Sequence, residues 1–175
     1  SSRSKNNHTM KYFYSFIIAL ILSAAISAQS GLENDVEVLA IISPSSTKTY
    51  NTIDTFEIGP EGIVLEPGTL YLGVTEEYTE THAAVPFLEG KSSIGRLGID
   101  IHATAGKGDV GFCNTWTLEI SCVQPVRIYA GMPIGQLIYF SVDGEIKNYY
   151  NTKSGAKYTS RTLKPIQSMM WKNNF

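Results

Sequence analysis

From residue 36 onward the chain alternates short apolar, β-branched stretches with turn residues. The stretches 36–42, 56–58, 62–65 and 69–74 are strand candidates, and Gly59-Pro60-Glu61-Gly62 and Pro67-Gly68 punctuate them. Further on, Trp116, Leu118, Ile120 and Cys122 alternate with Thr117, Glu119 and Ser121. That period of two predicts a strand with one apolar and one polar face. Two more strands are expected at 126–129 and 134–142, split by Gly131-Met132-Pro133. Regular strands with turns every ~8–12 residues indicate a mostly β domain, a barrel or jelly roll. The stretch 147–175 is polar with scattered aromatics and reads as a flexible tail that orders on a partner or ligand.

Upstream the pattern changes. A basic flank, Lys11, is followed by an apolar run to Ala28 that ends in small residues. The segment 10–28 therefore resembles a secretory signal peptide and is short of the ~20 apolar residues of a membrane span. A buried helix is the plain alternative. The domain division expected is an N-terminal segment at 1–30 and one domain at 31–175.

Bulk properties narrow the function. The 175 residues suffice for a core of one domain. Charged residues make up 17%, and the net charge of -2 leaves no basic footprint for a nucleic acid partner. Two cysteines nine positions apart, Cys113 and Cys122, suit neither a disulfide framework nor a paired Cys-x-x-Cys zinc site. Fifteen glycines and ten tyrosines fit a turn-rich β protein.

The residues with chemical potential cluster between 90 and 120. The run Gly-Lys-Ser-Ser-Ile-Gly-Arg-Leu-Gly at 90–98 holds two hydroxyls and a guanidinium. Ser92 and Ser93 can open a helical turn whose free N–H groups face an anion, with Arg96 adding a charged fork; a plain helix cap is the other reading. Asp109, in Gly-Lys-Gly-Asp-Val-Gly at 106–111, is either a turn residue or a ligand. Glu119 lies opposite Trp116 and Leu118 on its strand, either solvated or functional.

In order and spacing, 90–98, His-Ala-Thr-Ala-Gly at 102–106, Gly-Asp-Val-Gly-Phe at 108–112 and Trp-Thr-Leu-Glu-Ile at 116–120 resemble the dCTP deaminase branch of the dUTPase-like superfamily. The resemblance runs from about 37 to about 158 and is dense from 67 to 139. It implies a distorted β-barrel or jelly roll of the β-clip kind, assembling as a homotrimer with sites between subunits. It implies hydrolysis of the 4-amino group of dCTP to give dUTP and ammonia, in pyrimidine deoxynucleotide metabolism. Glu119 would be the general base and then acid, supported by Ser92, Arg96 and the backbone near Ala105. Lys91, Ser92, Ser93, Ile94, Gly95 and Arg96 would hold the triphosphate. Lys107, Asp109, Thr117 and Leu118 would surround sugar and base, with Asp109 reading the 3′-hydroxyl. Tyr150 and Lys157 match a segment that folds over the nucleotide.

The chain departs from the family pattern at three places. Lys91 stands where arginine is common, which keeps charge but loses bidentate geometry. Arg161 stands where a base-reading glutamine is frequent. The family's early Ser-Tyr-Asp-Leu-Arg-Leu-like strand has no counterpart. The zinc signatures His-x-Glu and Pro-Cys-x-x-Cys of other base deaminases are missing, so a metal-free water activation is expected, without zinc. Mg²⁺ would arrive with the triphosphate, held by phosphate and water. dTTP is a candidate inhibitor, and the cytoplasm is the expected compartment despite the signal-like run.

Two other readings stay open. The Thr104-Ala105-Gly106 turn is similar to that of bifunctional members that go on to dUMP and pyrophosphate. A catalytically inactive nucleotide-binding module is the third reading.

Overall fold

The computed structural model describes the backbone at 20–22 and 37–41 and the chain from 53 to 173. Of the signal-like run only 20–22 falls within these residues; the rest of it lies outside them. The described strands are β1 (Leu20–Leu22), β2 (Glu37–Ile41), β3 (Ile53–Glu57), β4 (Ile63–Leu65), β5 (Leu70–Val74) and β6 (Thr79–Glu80). They continue with β7 (Ala84–Gly90), β8 (Ile99–Asp100), β9 (Cys113–Asn114), β10 (Thr117–Cys122), β11 (Val126–Ile128) and β12 (Gly135–Ser141). One helical turn, α1 (Ser92–Gly95), and two 3₁₀ turns, Tyr150–Thr152 and Met170–Lys172, are the only described helices. No helix among the described residues is long and apolar enough to cross a membrane.

Every pairing is antiparallel. A five-stranded sheet has the order β3-β2-β5-β10-β8, and a three-stranded sheet has the order β1-β12-β7. Two ribbons, β11-β4 and β6-β9, close the corners. The mostly β expectation is met, and the expected strand stretches fall on β2, β3, β4, β5, β10, β11 and β12, with the period-two stretch on β10.

The core forms where the alternating faces meet. Leu65 and Leu137 are fully buried, and Tyr71, Leu88, Ile94, Ile101, Trp116, Leu118, Ile120 and Ile128 pack in one cluster. Trp116 satisfies its indole N–H on Thr79 Oγ1 at 2.9 Å, and its backbone exchanges hydrogen bonds with Thr75.

β7 was not among the expected strands, and it contains Pro86, a residue that sheets confine to edges and strand starts. Proline is tolerated here because β7 is the last strand of its sheet. Its outer edge is covered by the loop that follows β8 rather than by another strand. Leu88 N–H donates to Gly106 O at 2.7 Å, and Gly108 N–H donates to Pro86 O at 2.8 Å. A single bridge joins Phe87 and Lys107. β6, β8 and β9 are two residues each, too short to carry a readable period.

Candidate active site

β10 positions the central carboxylate. Leu118, Ile120 and Cys122 are buried, while Thr117, Glu119 and Ser121 on the other face are half-buried. β10 lies between β5 and β8, so Glu119 is fixed on both sides. It stands opposite Leu72, and its N–H donates to Ile101 O at 2.9 Å. Just past β8 the chain turns and aims the Ala103 N–H at Glu119 Oε2, 2.8 Å away. A backbone N–H on a carboxylate oxygen restricts the side-chain rotamer. Oε1 has no protein hydrogen-bond partner among the described residues. The side chain is thus neither freely solvated nor spent in an ion pair. Ala105, near which the backbone was expected to help polarise the water, is exposed two residues further on.

The loop 102–111 lies flat on the domain because its glycines admit no side chain. A Cβ on Gly106 would sit 2.6 Å from Leu88 O and 3.1 Å from His102 Nε2. A Cβ on Gly108 would sit 2.5 Å from the Trp116 ring. Gly111 adopts φ 88°, a left-handed conformation natural to glycine, and packs against Tyr149 and Tyr150. Asp109 is at the tip, where its carbonyl accepts Phe112 N–H at 3.1 Å. Its carboxylate meets Lys153 Nζ at 3.5 Å, with both side chains about half exposed. Such a pair contributes at most about 1 kcal/mol, so a ligand can displace it at little cost. Lys107 is exposed beside β7.

α1 presents the serines differently from a cap. Lys91 is the residue before the turn and makes no side-chain cap bond. Ser92 and Ser93 therefore open the turn as its first residues, exposed, with Arg96 Nη1 3.4 Å from Ser92 Oγ. Ile94, 3% exposed, anchors the turn in the core. Ile94 and Leu118 were both expected to bind substrate. Their side chains belong to the core, so only their backbones, like that of Gly95, can face a ligand. Among the described residues, no hydrogen bond or ion pair joins α1 to Glu119 or Asp109.

The C-terminal stretch has a defined path in the single chain. Tyr150 N–H donates to Val110 O at 2.8 Å, and its ring meets Phe112 edge-on at 5.6 Å. Its hydroxyl accepts Tyr158 N–H at 3.1 Å. Tyr150, Lys153, Lys157 and Tyr158 line an open cavity of about 330 Å³. The expected Asp109, Tyr150 and Lys157 are thus brought to one place, with Lys153 added. Thr117 was expected at the substrate, but its hydroxyl accepts Ile166 N–H at 3.1 Å and holds the chain instead. Arg161 stacks over the Tyr78 ring at 4.7 Å, away from this cavity. Partial burial, then nearby Glu80, pushes Tyr78 above its ordinary pKa, while hydrogen bonds from His82 and Tyr78 hold Glu80 low.

Three contributors escaped the sequence reading: Ala103, Asn114 and Lys153. Ala103 acts through its backbone and has no signature. Lys153 lies in a polar run where one lysine resembles another. Asn114 could have been suspected as a polar residue at the entrance to an apolar strand. Among the described residues no group of three His, Cys, Asp or Glu side chains is placed to hold a metal.

Comparison with known proteins places this geometry. A family model described as dCTP deaminase-like matches residues 28–142. A protein of Cytophaga hutchinsonii named "dCTP deaminase, dUMP-forming" is 51% identical over 126 residues, 72% of this chain and 70% of that protein. One of the same name from Clostridium acetobutylicum is 50% identical over 139 residues, 79% of this chain and 74% of that one. The crystal structure of 2′-deoxycytidine 5′-triphosphate deaminase from Agrobacterium tumefaciens superposes with a TM-score of 0.50 at 20% identity. That match covers 60% of this chain and only 36% of the solved one, and it is a likeness of fold. With the polar face of β10, the glycine loop and α1 all inside the matched region, the chain belongs to the dCTP deaminase-like family.

Proposed function

We propose that this protein hydrolyses dCTP to dUMP, releasing ammonia and pyrophosphate. The observation that carries the reading is Glu119, pinned through one oxygen by the Ala103 N–H, with the other oxygen open on the polar face of β10. In the first step Glu119 takes a proton from water, and the oxygen attacks C4 of cytosine. That proton passes to N3 and stays there; Glu119 then carries the proton of the new C4 hydroxyl to the 4-amino group, which leaves as ammonia as the C4 carbonyl forms. The balance is dCTP plus water giving dUTP plus ammonia. In the second step a further water attacks the α-phosphorus, and the bond to the β-phosphate oxygen breaks to give dUMP and pyrophosphate. Asp109 is the candidate to orient that water, with Lys153 beside it.

Two observations favour this reading over release of dUTP, the product first expected from the resemblance. The relatives are named as dUMP-forming. The Gly106 position also has no room for a bulkier residue in this loop conformation. Triphosphate contacts are assigned to the exposed Ser92, Ser93 and Arg96. Because no hydrogen bond or ion pair joins α1 to Glu119 or Asp109 among the described residues, we place it in the site of a neighbouring copy, in a homotrimer. Mg²⁺ would be carried by phosphate oxygens and water, since the described carboxylates form no cage.

The test is product analysis with dCTP and Mg²⁺, together with light scattering for the trimer. Ammonia with dUMP and pyrophosphate is expected. Ammonia with dUTP alone would restore the single-step reading, and nucleotide binding without ammonia would leave an inactive module.

A further inference from the structure

The strand that carries Glu119 also grips the C-terminal strap, and it does so through the strap's backbone. Asn114 Nδ2 lies 3.3 Å from Tyr158 O and 3.0 Å from Ser160 O. Thr115 Oγ1 donates to Thr162 O at 2.7 Å, and Thr117 Oγ1 accepts Ile166 N–H at 3.1 Å. These three residues lie just before or at the start of β10. Asn114 is 1% exposed, and its amide is fully used, since Oδ1 also accepts the Thr115 N–H at 2.9 Å. Two carbonyls converge on one buried side chain and are met by its two amide donors.

We propose that Asn114 is a positioning residue for the nucleotide cover, setting the segment 150–158 at a fixed place relative to Glu119. This rests on the function proposed above. The coupling runs through Tyr158. Asn114 holds its carbonyl, its N–H donates to the Tyr150 hydroxyl, and its own hydroxyl accepts Met169 N–H at 3.0 Å. Lys157, next in the chain, lines the same cavity as Tyr150. On the other flank Arg161 stacks on Tyr78 and holds the strap from outside. Because the grip of Asn114 is on backbone atoms, the side chains of Lys153 and Lys157 need not carry it.

Asn114→Asp keeps the shape and removes both donors, turning a carboxylate toward two carbonyls. It should raise KM and Kd for dCTP about tenfold, with kcat within about twofold of the parent. Trypsin should cut after Lys153, Lys157 or Arg161 several-fold faster in the absence of nucleotide. Thr115→Val, which removes only the Thr162 contact, should move KM and strap cleavage the same way by about threefold. It serves as the deciding variant if Asn114→Asp does not fold. The proposal is overturned if the folded variants cleave like the parent, or if cleavage rises while dCTP affinity stays unchanged. It is also overturned if kcat falls and KM does not rise. If the parent itself releases no ammonia, the reaction reading fails separately, and strap cleavage with the Kd for dCTP still decides the role of Asn114.

Discussion

Replacing Glu119 with glutamine separates its chemistry from its structural part. Glutamine has the same length, and its Oε1 can accept the Ala103 N–H that Glu119 Oε2 accepts at 2.8 Å. The strand is held by backbone bonds on both sides, which the substitution leaves alone. What changes in the resting protein is a charge-assisted hydrogen bond becoming a neutral one. Those are worth about 1.5–3 and about 0.5–1.5 kcal/mol, so the loss is about 1 kcal/mol, reduced further because the group is half-exposed. For a chain of this size that lowers Tm by about 2–4 °C at most. The chemical loss is far larger. General acid–base catalysis supplies about 10²–10⁴-fold, and here one group is asked both to take and to deliver the proton. Ammonia release from dCTP should fall by at least about 10²-fold, while calorimetric binding of dCTP stays within about threefold of the parent. Turnover at the parent rate would refute the mechanism. Loss of binding and of more than about 10 °C in Tm would instead make Glu119 a structural carboxylate.

Arg96→Ala should leave stability within about 0.5 kcal/mol, since the exposed guanidinium meets only Ser92 Oγ among the described residues. It should weaken dCTP binding about tenfold or more, the loss of a hydrogen bond to a charged group; an unchanged Kd would remove Arg96 from the site. Gly106→Ala drives a Cβ to 2.6 Å from Leu88 O, a backbone atom. Overpacking of that kind costs about 1–3 kcal/mol and shifts the turn that carries Ala103, so both Tm and kcat should drop; a variant equal to the parent in both would show that the turn yields freely. Burial, with Glu66 nearby, pushes the Cys122 thiol up. A raised folded pKa gives a contribution fully present below the unfolded thiol's pKa of about 8.5 and lost as pH rises through the folded value. The urea midpoint of the parent should therefore fall between pH 8 and pH 10 by more than that of Cys122→Ala, and equal falls would contradict the burial.

The legible parts of this sequence were those in which side chains carry the signal. The period of two at 116–122 identified β10 and both of its faces, because burial on one side imposes the pattern directly. β7 was not among the expected strands, and its Pro86 is accommodated at a sheet edge that only the assembled fold supplies. The site divides the same way. Tyr150 and Lys157 line one cavity with Lys153, which meets Asp109, whereas the side chains of Ile94 and Leu118, named through the family resemblance, lie in the core. Thr117 was placed on the right face and given the wrong partner, because Ile166 lies forty-nine residues away along the chain. The tail, polar and without period, read as loose because nothing in its own side chains shows that Asn114 and Thr115 hold its carbonyls.

A common device underlies those misses, and it bears on how the site works. Both the carboxylate and the cover are fixed through main-chain atoms: the Ala103 N–H on Glu119, and the carbonyls of Tyr158, Ser160 and Thr162 on β9 and Thr115. Main-chain anchors leave the neighbouring side chains uncommitted. Among the described residues the Lys153 side chain pairs only with Asp109, in a half-exposed pair of little strength. On the proposed function, a triphosphate entering the cavity would draw Lys153 away and expose the Asp109 carboxylate to the sugar. The protein then meets its ligand with a rigid acceptor of protons on β10 and an adjustable set of cations on the strap. That division suits a reaction in which one carboxylate must hold its place while a highly charged substrate is gripped and released.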